Sequence, residues 1–220
     1  MKIPSGTDSN RHRVSHIRLS PINTHTMMKT LLHIIFCVLT TYTAYAQTGF
    51  YDRLADSSLA LTKQKVKYDP AYFQIKYPGG DVPADKGVCT DVVIRAYRKL
   101  GIDLQKEVHE DMQAHFGKYP KKWGLSKPDK NIDHRRVPNL MTFFTRHGTV
   151  KKISREPADY EPGDIVCWNL GGQITHIGIV AKKKSADGKR HLIVHNIGAG
   201  QVAEDCLFGY RIIGHYRYEK

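Results

Sequence analysis

The stretch that decides the fold runs from residue 87 to residue 100 and reads GVCTDVVIRAYRKL. A loop with two Pro and two Gly residues at 78–83 precedes it, and Gly101 follows it. This arrangement predicts a helix whose first turn contains Cys89. Backbone N–H groups at a helix start have no helical partner and carry partial positive charge, so they stabilise a thiolate. We therefore expect Cys89 to be a nucleophile.

The amino-terminal part of the chain is typical of an export signal. A short basic start precedes an apolar run at 31–39, and the small-x-small sequence Ala-Tyr-Ala follows at 44–46. The apolar run is too short to span a bilayer, so the pattern predicts a signal peptide over 27–46 and a mature chain that begins near Gln47. Residues 1–26 are polar and lack apolar periodicity, and we interpret them as an upstream extension or a misassigned start.

Removal of the signal leaves 174 of the 220 residues, at 47–220, which fits a single domain with a sizeable core. This mature chain has a formal net charge of +9, which favours an anionic partner such as a cell-wall polymer. The basic residues are scattered and no nucleic-acid-binding motif accompanies them, which argues against nucleic acid as the partner. We expect a periplasmic or extracellular protein with no stable membrane insertion after signal cleavage.

Three cysteines remain in the mature chain: Cys89, Cys167 and Cys206. An odd number outside the cytoplasm leaves at least one thiol unpaired within the chain. A disulfide between Cys167 and Cys206 would leave Cys89 free, as a nucleophile requires. We favour the alternative, in which Cys167 is an ordinary buried strand residue.

The mature chain divides into a helical half and a strand half. Apolar spacing predicts a helix at 50–66, a helix or a helix-loop stretch at 102–116 and a short helix from Val137 to a stop at Gly148, in addition to the Cys89 helix. Alternating patterns between turn residues predict strands at 164–168, 175–181, 191–196 and 210–218. Short turns between these strands indicate an antiparallel meander with helices on one side, which is an α+β domain. The polar segment 117–136 is long for a connector and is expected to form a binding-site wall.

A candidate base for the thiol lies on one of the predicted strands. His176 opens the sequence HIGIV and shares a face with Gly178, whose missing side chain leaves room for another backbone, such as a helix terminus. On the following strand, His195 is expected to lie beside His176 and to orient its ring. A thiol needs an imidazole to take its proton, and the imidazole needs a polar group to hold it, so the three residues predict a triad with Cys89.

These motifs resemble those of the NlpC-type papain-like cysteine peptidases of the bacterial cell wall, in which the catalytic order is Cys, His, polar residue. A closer resemblance is to a family of exported bacterial proteins that contain a domain of unknown function, DUF1287. The resemblance extends from about Tyr68 to Tyr218. The motifs that support it are GVCTDV at 87–92, NIDHRRVP at 131–138, PGDIV at 162–166, HIGIV at 176–180 and HNIG at 195–198.

The resemblance implies a papain-like fold, with Cys89 as nucleophile, His176 as base and His195 as the orienting residue. It also relates Tyr77 to a tyrosine that lies near the oxyanion in the NlpC type. One departure is that the acidic residue before the cysteine of the NlpC pattern is absent, whereas Asp91 stands two residues after the cysteine. Because two helical residues rotate by about 200°, we expect Asp91 to point away from the thiol and to have a structural role.

The sequence DHRR at 133–136 suggests a way to hold the substrate. Arginine side chains bind carboxylates in a bidentate manner, and the stem peptides of peptidoglycan present several carboxylates. Arg135 and Arg136 are therefore candidate substrate anchors. The alternative is a solvated basic loop that pairs with Asp133.

The favoured function is an exported cysteine amidase or endopeptidase that cleaves an amide bond of peptidoglycan peptides through an acyl-enzyme, without a metal or another cofactor. Acyl transfer on the same triad remains an alternative. So does a non-catalytic wall-binding module, and so does a metal site, for which Cys89, His176, His195 and His215 would supply nitrogen and sulfur ligands.

Overall fold

The second half of the chain forms an antiparallel sheet. The computed structural model describes residues 49–220, so the predictions for 1–26, for the signal peptide at 27–46 and for cleavage near Gln47 lie outside the described residues. Across the sheet the strands follow the order β3-β8-β4-β5-β6-β7. They are β3 (Thr149–Val150), β4 (Ile165–Gly171), β5 (Ile174–Lys184), β6 (His191–His195), β7 (Val202–Glu204) and β8 (Arg211–Arg217).

The predicted meander is confirmed for β4 to β6 and is wrong for the last strand, and β7 is a short strand that the sequence did not predict. β8 does not lie beside β7 but crosses to the other side of β4, where Tyr216 is opposite Ile165 and His215 is opposite Val166. β4 consequently has a strand on each side, and its first four residues are buried. The turn signals in the sequence indicate where a strand ends, but they do not show which strand edge the chain reaches next.

The helical half contains the four helices that the sequence predicts. They are α1 (49–61), α2 (Cys89–Arg98), α3 (Leu104–His115) and α4 (Val137–His147). A short parallel pair, β1 (Lys67–Tyr68) with β2 (Lys86–Gly87), precedes α2. α1 ends at residue 61, five residues before its predicted end. The described residues therefore form an α+β domain.

Both faces of the sheet are covered. Ile177 and Ile179 of β5 pack with apolar residues of the helices, including Val92 and Val93 of α2. The opposite face has a smaller core, formed by Tyr160, Val166, Trp168, Val180, Ile193 and Leu207. Burial of each such side chain stabilises the fold by about 1.5–3 kcal/mol. The helices lie on one side of the sheet as predicted, and loops cover the other side.

The three cysteines among residues 49–220 are all free thiols. Cys167 is fully buried with the helix-facing core, whereas Cys206 packs against the core on the other face. The considered pairing of Cys167 with Cys206 is therefore wrong, because the sheet lies between them. Cys167 is the buried strand residue of the favoured interpretation. Within 49–220, the helices are too short or too polar to cross a bilayer.

Candidate active site

Cys89 is the first residue of α2, as the sequence predicts. Val88 before it is extended, and its N–H donates to the Asp91 carboxylate at 2.7 Å. The Asn196 side-chain amide, which follows β6, donates to the carbonyl of Gly87 at 3.1 Å. The helix start is thus fixed both by its own first turn and by the end of a neighbouring strand.

A buried ion pair supports this helix start. The Arg135 guanidinium donates from Nε and Nη2 to the two oxygens of Asp91, at 2.9 and 3.0 Å. Thr90 Oγ1 donates to the Arg135 carbonyl at 3.1 Å. Asp91 is therefore structural, as expected, but the expected role of Arg135 is wrong. Its guanidinium is occupied by Asp91 and is buried, so it is not available to a substrate carboxylate.

The Cys89 thiol lies in a largely apolar environment. Burial raises the pKa of Cys89 to about 12, while hydrogen bonding from backbone N–H groups, first that of Ile177 and then those of Thr90 and Cys89 itself, acts to lower it. The thiol is therefore protonated at neutral pH. The Ile177 contact places it against β5, one residue along the strand from His176.

His176, His195 and Glu204 form a hydrogen-bonded relay across three adjacent strands. His176 Nε2 lies 2.9 Å from His195 Nδ1, and His195 Nε2 lies 3.0 Å from a carboxylate oxygen of Glu204. The carboxylate accepts, so neutral His195 carries its proton on Nε2 and accepts at Nδ1. His176 then carries its proton on Nε2 and has a lone pair on Nδ1. Among residues 49–220, no side chain or backbone group hydrogen-bonds to this Nδ1.

The His176 ring is buried between aromatic neighbours. Its centroid lies 5.9 Å from the Trp168 ring and 5.0 Å from the His195 ring. Burial lowers the pKa of His176 to about 3, and proximity to His195 adds to this shift. Burial also lowers the pKa of His195, against the opposing effect of Glu204. Both imidazoles are neutral at physiological pH, so His176 Nδ1 is an unprotonated base.

Gly178 has a different role from the one that the sequence suggested. A Cβ on this residue would lie 2.5 Å from Ile193 Cγ2 and 3.2 Å from His195 Cβ, all on the neighbouring strand. The antiparallel register places Gly178 opposite His195, two residues along from His176. The missing side chain therefore makes room for the His195 ring to reach diagonally to His176. The expected close approach of a helix terminus is not what fills this space.

Thiol and imidazole approach the same part of β5 from different sides. Cys89 belongs to the core that includes Ile177, whereas His176 faces Trp168 and the opposite core. Within 49–220, no hydrogen bond joins Cys89 Sγ to His176. Catalytic hydrogen bonds are often longer in the free enzyme than in the substrate complex. Both groups are neutral, so they do not form a preformed ion pair.

Tyr77 is not the tyrosine near the thiol. Its ring packs edge-on against His109 of α3, at 5.0 Å between centroids, and the Lys130 ammonium lies over it. Tyr68 of β1 lies near Cys89 instead, because pairing with β2 places it opposite Gly87. Burial raises the pKa of Tyr68, and the nearby Cys89 and Asp91 add to the shift. Its side chain remains 41% exposed, so the hydroxyl can meet a ligand.

Arg136, the second expected anchor, is also occupied. Its Nη1 donates to Asp133 at 3.2 Å, and its guanidinium stacks on Trp123 at 4.1 Å from the ring centroid. The pairing with Asp133 is the alternative that the sequence left open. Neither arginine of the DHRR sequence therefore presents a free guanidinium to a substrate.

Comparison with known proteins identifies the family. A family described as Domain of unknown function (DUF1287) matches residues 55–218. A protein of Escherichia coli (strain K12), described as Uncharacterized protein YijF, is 54% identical over 165 residues, which cover 75% of this chain and 80% of the relative. The chain belongs to the DUF1287 family. No solved structure matches it.

The DUF1287 match contains every residue of the relay and also Tyr68. Sequence reasoning did not assign Glu204 to the relay and gave Tyr68 no role at the site. A signal for Glu204 exists, because an acidic residue on a short strand after His195 can reach it across an antiparallel pair. Val202 is opposite His195, and Glu204, opposite Ile193, reaches His195 diagonally. Tyr68 has no comparable signal, since its position depends on a two-residue parallel pairing.

Metal ligation was a further alternative for the DUF1287 domain. Of the residues considered for it, His215 lies away from the relay, where its Nε2 bonds to Asp164 at 2.6 Å. In the part of the chain that the structure describes, no three His, Cys, Asp or Glu side chains are grouped for a metal ion.

Proposed function

We propose that this DUF1287 protein is an exported, papain-like cysteine amidase or endopeptidase that cleaves an amide bond in peptidoglycan peptides. Cys89 is the nucleophile, His176 is the base, and His195 with Glu204 orients the base. The observation that carries the proposal is the hydrogen-bonded relay of Glu204, His195 and His176, which sets the tautomer of each imidazole. It starts at the Glu204 carboxylate and ends at an unprotonated Nδ1 of His176, next to the strand residue that contacts the thiol.

The chemistry follows from these protonation states. As Cys89 Sγ attacks the carbonyl carbon of the substrate amide, its proton moves to His176 Nδ1, and the carbonyl oxygen becomes an oxyanion. The backbone N–H groups at the start of α2 are the available donors for that oxyanion, with the Tyr68 hydroxyl nearby. The C–N bond then breaks, and the amine leaves with the proton from His176. Water hydrolyses the resulting thioester and regenerates the thiol.

The orienting residues have a defined task in this scheme. When His176 takes the thiol proton it becomes an imidazolium in a buried site, which is costly without a partner. Its Nε2–H already donates to His195, and the Glu204 carboxylate lies at the far end of the same relay. The negative charge of Glu204 therefore stabilises the His176 imidazolium after the proton transfer, in the way that the third residue acts in other triads.

The test is hydrolysis of purified stem peptides by the mature chain and by matched cysteine variants. Cys89→Ala and Cys89→Ser should lose activity by about 10³-fold or more, because they remove the attacking thiolate. Cys167→Ala is the control, since it removes a fully buried thiol outside the proposed mechanism, and it should retain activity. Mass analysis of products separates hydrolysis from acyl transfer. Full activity in Cys89→Ala would refute the proposal.

One observation favours a second candidate, a non-catalytic wall-binding module. Cys89 is only 8% exposed, and burial raises its thiol pKa to about 12, which disfavours the thiolate. In that case the wild-type protein and Cys89→Ala would bind wall sacculi with the same affinity, and neither would release peptide. An acyl-enzyme adduct on Cys89, detected by intact mass, would exclude this candidate.

A further inference from the structure

Two arginines line a cavity at the start of β8 and have no ion-pair partner among the described residues. Arg155 and Arg211 contribute to a cavity of about 250 Å³ together with Phe208, Tyr210 and Ile212. Both arginines are exposed, and within residues 49–220 no carboxylate lies within ion-pair distance of either guanidinium. They differ in this respect from Arg135 and Arg136, which are occupied.

The cavity also exposes apolar surface. Tyr210 is 43% exposed and Ile153, on the opposite wall, is 47% exposed. A concave site that combines apolar walls with a few converging charged groups is typical of ligand binding, whereas solvated surface arginines usually occur without such walls. The lining therefore suits a ligand with an anionic group and an apolar portion.

Both walls of the cavity are held in place by the fold. Ser154, next to Arg155, exchanges two backbone hydrogen bonds with the Tyr160 hydroxyl, and its own hydroxyl donates to Asp159. On the other wall, the Leu207 carbonyl accepts from the Trp168 indole at 2.9 Å. A ligand that enters this cavity therefore need not order a mobile loop, which lowers the entropic cost of binding.

The cavity lies on the face of the sheet that His176 occupies, and the buried Trp168 lies between the two. Ile212 of β8 is opposite Trp168 of β4, and Trp168 is opposite His176 of β5, so the three residues form a row across one face of the sheet. With adjacent strands about 4.8 Å apart, the row places the cavity floor about 10 Å from His176. The loop that carries Phe208 and Tyr210 also brings Cys206 Sγ to 3.6 Å from His195 Nε2.

We propose that Arg155 and Arg211 bind a carboxylate of the peptide substrate. This inference rests on the proposed function, and it assigns the anchoring role that Arg135 and Arg136 do not fill. A distance of about 10 Å corresponds to about three extended residues, so the bound carboxylate belongs to a residue near the scissile bond in the same peptide.

The test measures binding separately from turnover. In the full chain with Cys89→Ala, affinity is measured by calorimetry for a synthetic stem peptide with a free terminal carboxylate and for the same peptide as a carboxamide. The carboxylate peptide should bind more tightly. Adding Arg155→Gln or Arg211→Gln should weaken its binding by about 10- to 100-fold, as expected for a charge-assisted hydrogen bond, and should leave carboxamide binding unchanged. Arg53→Gln, which removes an exposed charge from α1, should change neither.

Several results would overturn the inference. Equal affinity for the two peptides would do so, and so would tighter binding of inorganic phosphate than of the carboxylate peptide. If wild-type protein cleaves stem peptides but both arginine variants bind and cleave normally, the inference fails and the proposed function stands. If the arginine-dependent preference for carboxylate holds but wild-type protein cleaves nothing, the proposed function fails and the carboxylate site stands.

Discussion

The two faces of β5 differ in chemistry although they alternate along one strand. Ile177 and Ile179 face the helices and the buried thiol, in surroundings that raise the pKa of Cys89. His176 and Gly178 face the opposite way, toward a relay that ends at a carboxylate. Burial keeps the Cys89 thiol protonated on the first face and the His176 imidazole unprotonated on the second. The proposed mechanism therefore requires proton transfer between these two groups, at the first residues of the strand.

The largest effect is expected when His176, the proposed base, is removed. His176→Ala should lower kcat by about 10²- to 10⁴-fold, the usual contribution of a general base, because the thiol then has no acceptor for its proton. Stem-peptide hydrolysis measures this loss. His115→Ala removes a 48% exposed imidazole from α3 and should stay close to wild type. Unchanged hydrolysis in His176→Ala would show that His176 does not accept the proton of the Cys89 thiol.

The next largest effect concerns the support of the thiol side. Arg135→Leu leaves the Asp91 carboxylate buried without its partner, and we expect it to destabilise the protein by about 3–5 kcal/mol in urea unfolding. Arg190→Leu breaks an exposed pair with Asp205 and should cost about 1 kcal/mol or less. If the two variants lost equal stability, the buried pair would not be what holds the start of α2.

A smaller effect is expected from filling the space between the two histidine strands. In Gly178→Ala the new Cβ would overlap Ile193 and press on His195, at a cost of about 1–3 kcal/mol. Because the His195 ring must move, kcat should fall while KM changes little. Gly117→Ala is the control, since its Cβ meets nothing within 4 Å. A stable Gly178→Ala with normal kcat would contradict the diagonal packing of His195.

The last expected effect is a dependence of stability on pH. Burial lowers the pKa values of His176 and His134 to about 3, so below the unfolded-state value of about 6.5 the unfolded chain binds more protons. Stability should be complete above pH 6.5 and should fall as pH decreases toward 3, by up to about 1.4 kcal/mol per pH unit for each histidine. Asp133, whose pKa is raised to about 6 by burial, opposes this below pH 6.

Urea unfolding midpoints at pH 7.5 and pH 5.5 measure this dependence. His176→Asn should reduce the difference between the two midpoints, because it removes one of the buried neutral imidazoles. If His176→Asn leaves the difference between the two midpoints unchanged or makes it larger, His176 is not a neutral imidazole in the folded protein. That result would replace the neutral thiol and imidazole with a preformed ion pair.

Much of the candidate site could be predicted from local sequence patterns. Cys89 at a helix start and two histidines on consecutive strands follow from turn residues and apolar periodicity, which act over a few residues. The anchors could not be predicted in this way. Arg135 and Tyr77 have suitable chemistry and a suitable place in the sequence, but distant residues, Asp91 and His109, determine where their side chains lie.

By itself the sequence determined the helix that presents Cys89, the strands that carry His176 and His195, and the face that each histidine occupies, because backbone periodicity decides these locally. Only the tertiary structure decided that β8 returns to β4, that Tyr68 and not Tyr77 lies near the thiol, and that Arg155 and Arg211 line one cavity without an ion-pair partner among residues 49–220. The physical reason is that strand pairing and charge pairing are chosen among all parts of the chain that can meet, and local periodicity carries no information about that choice.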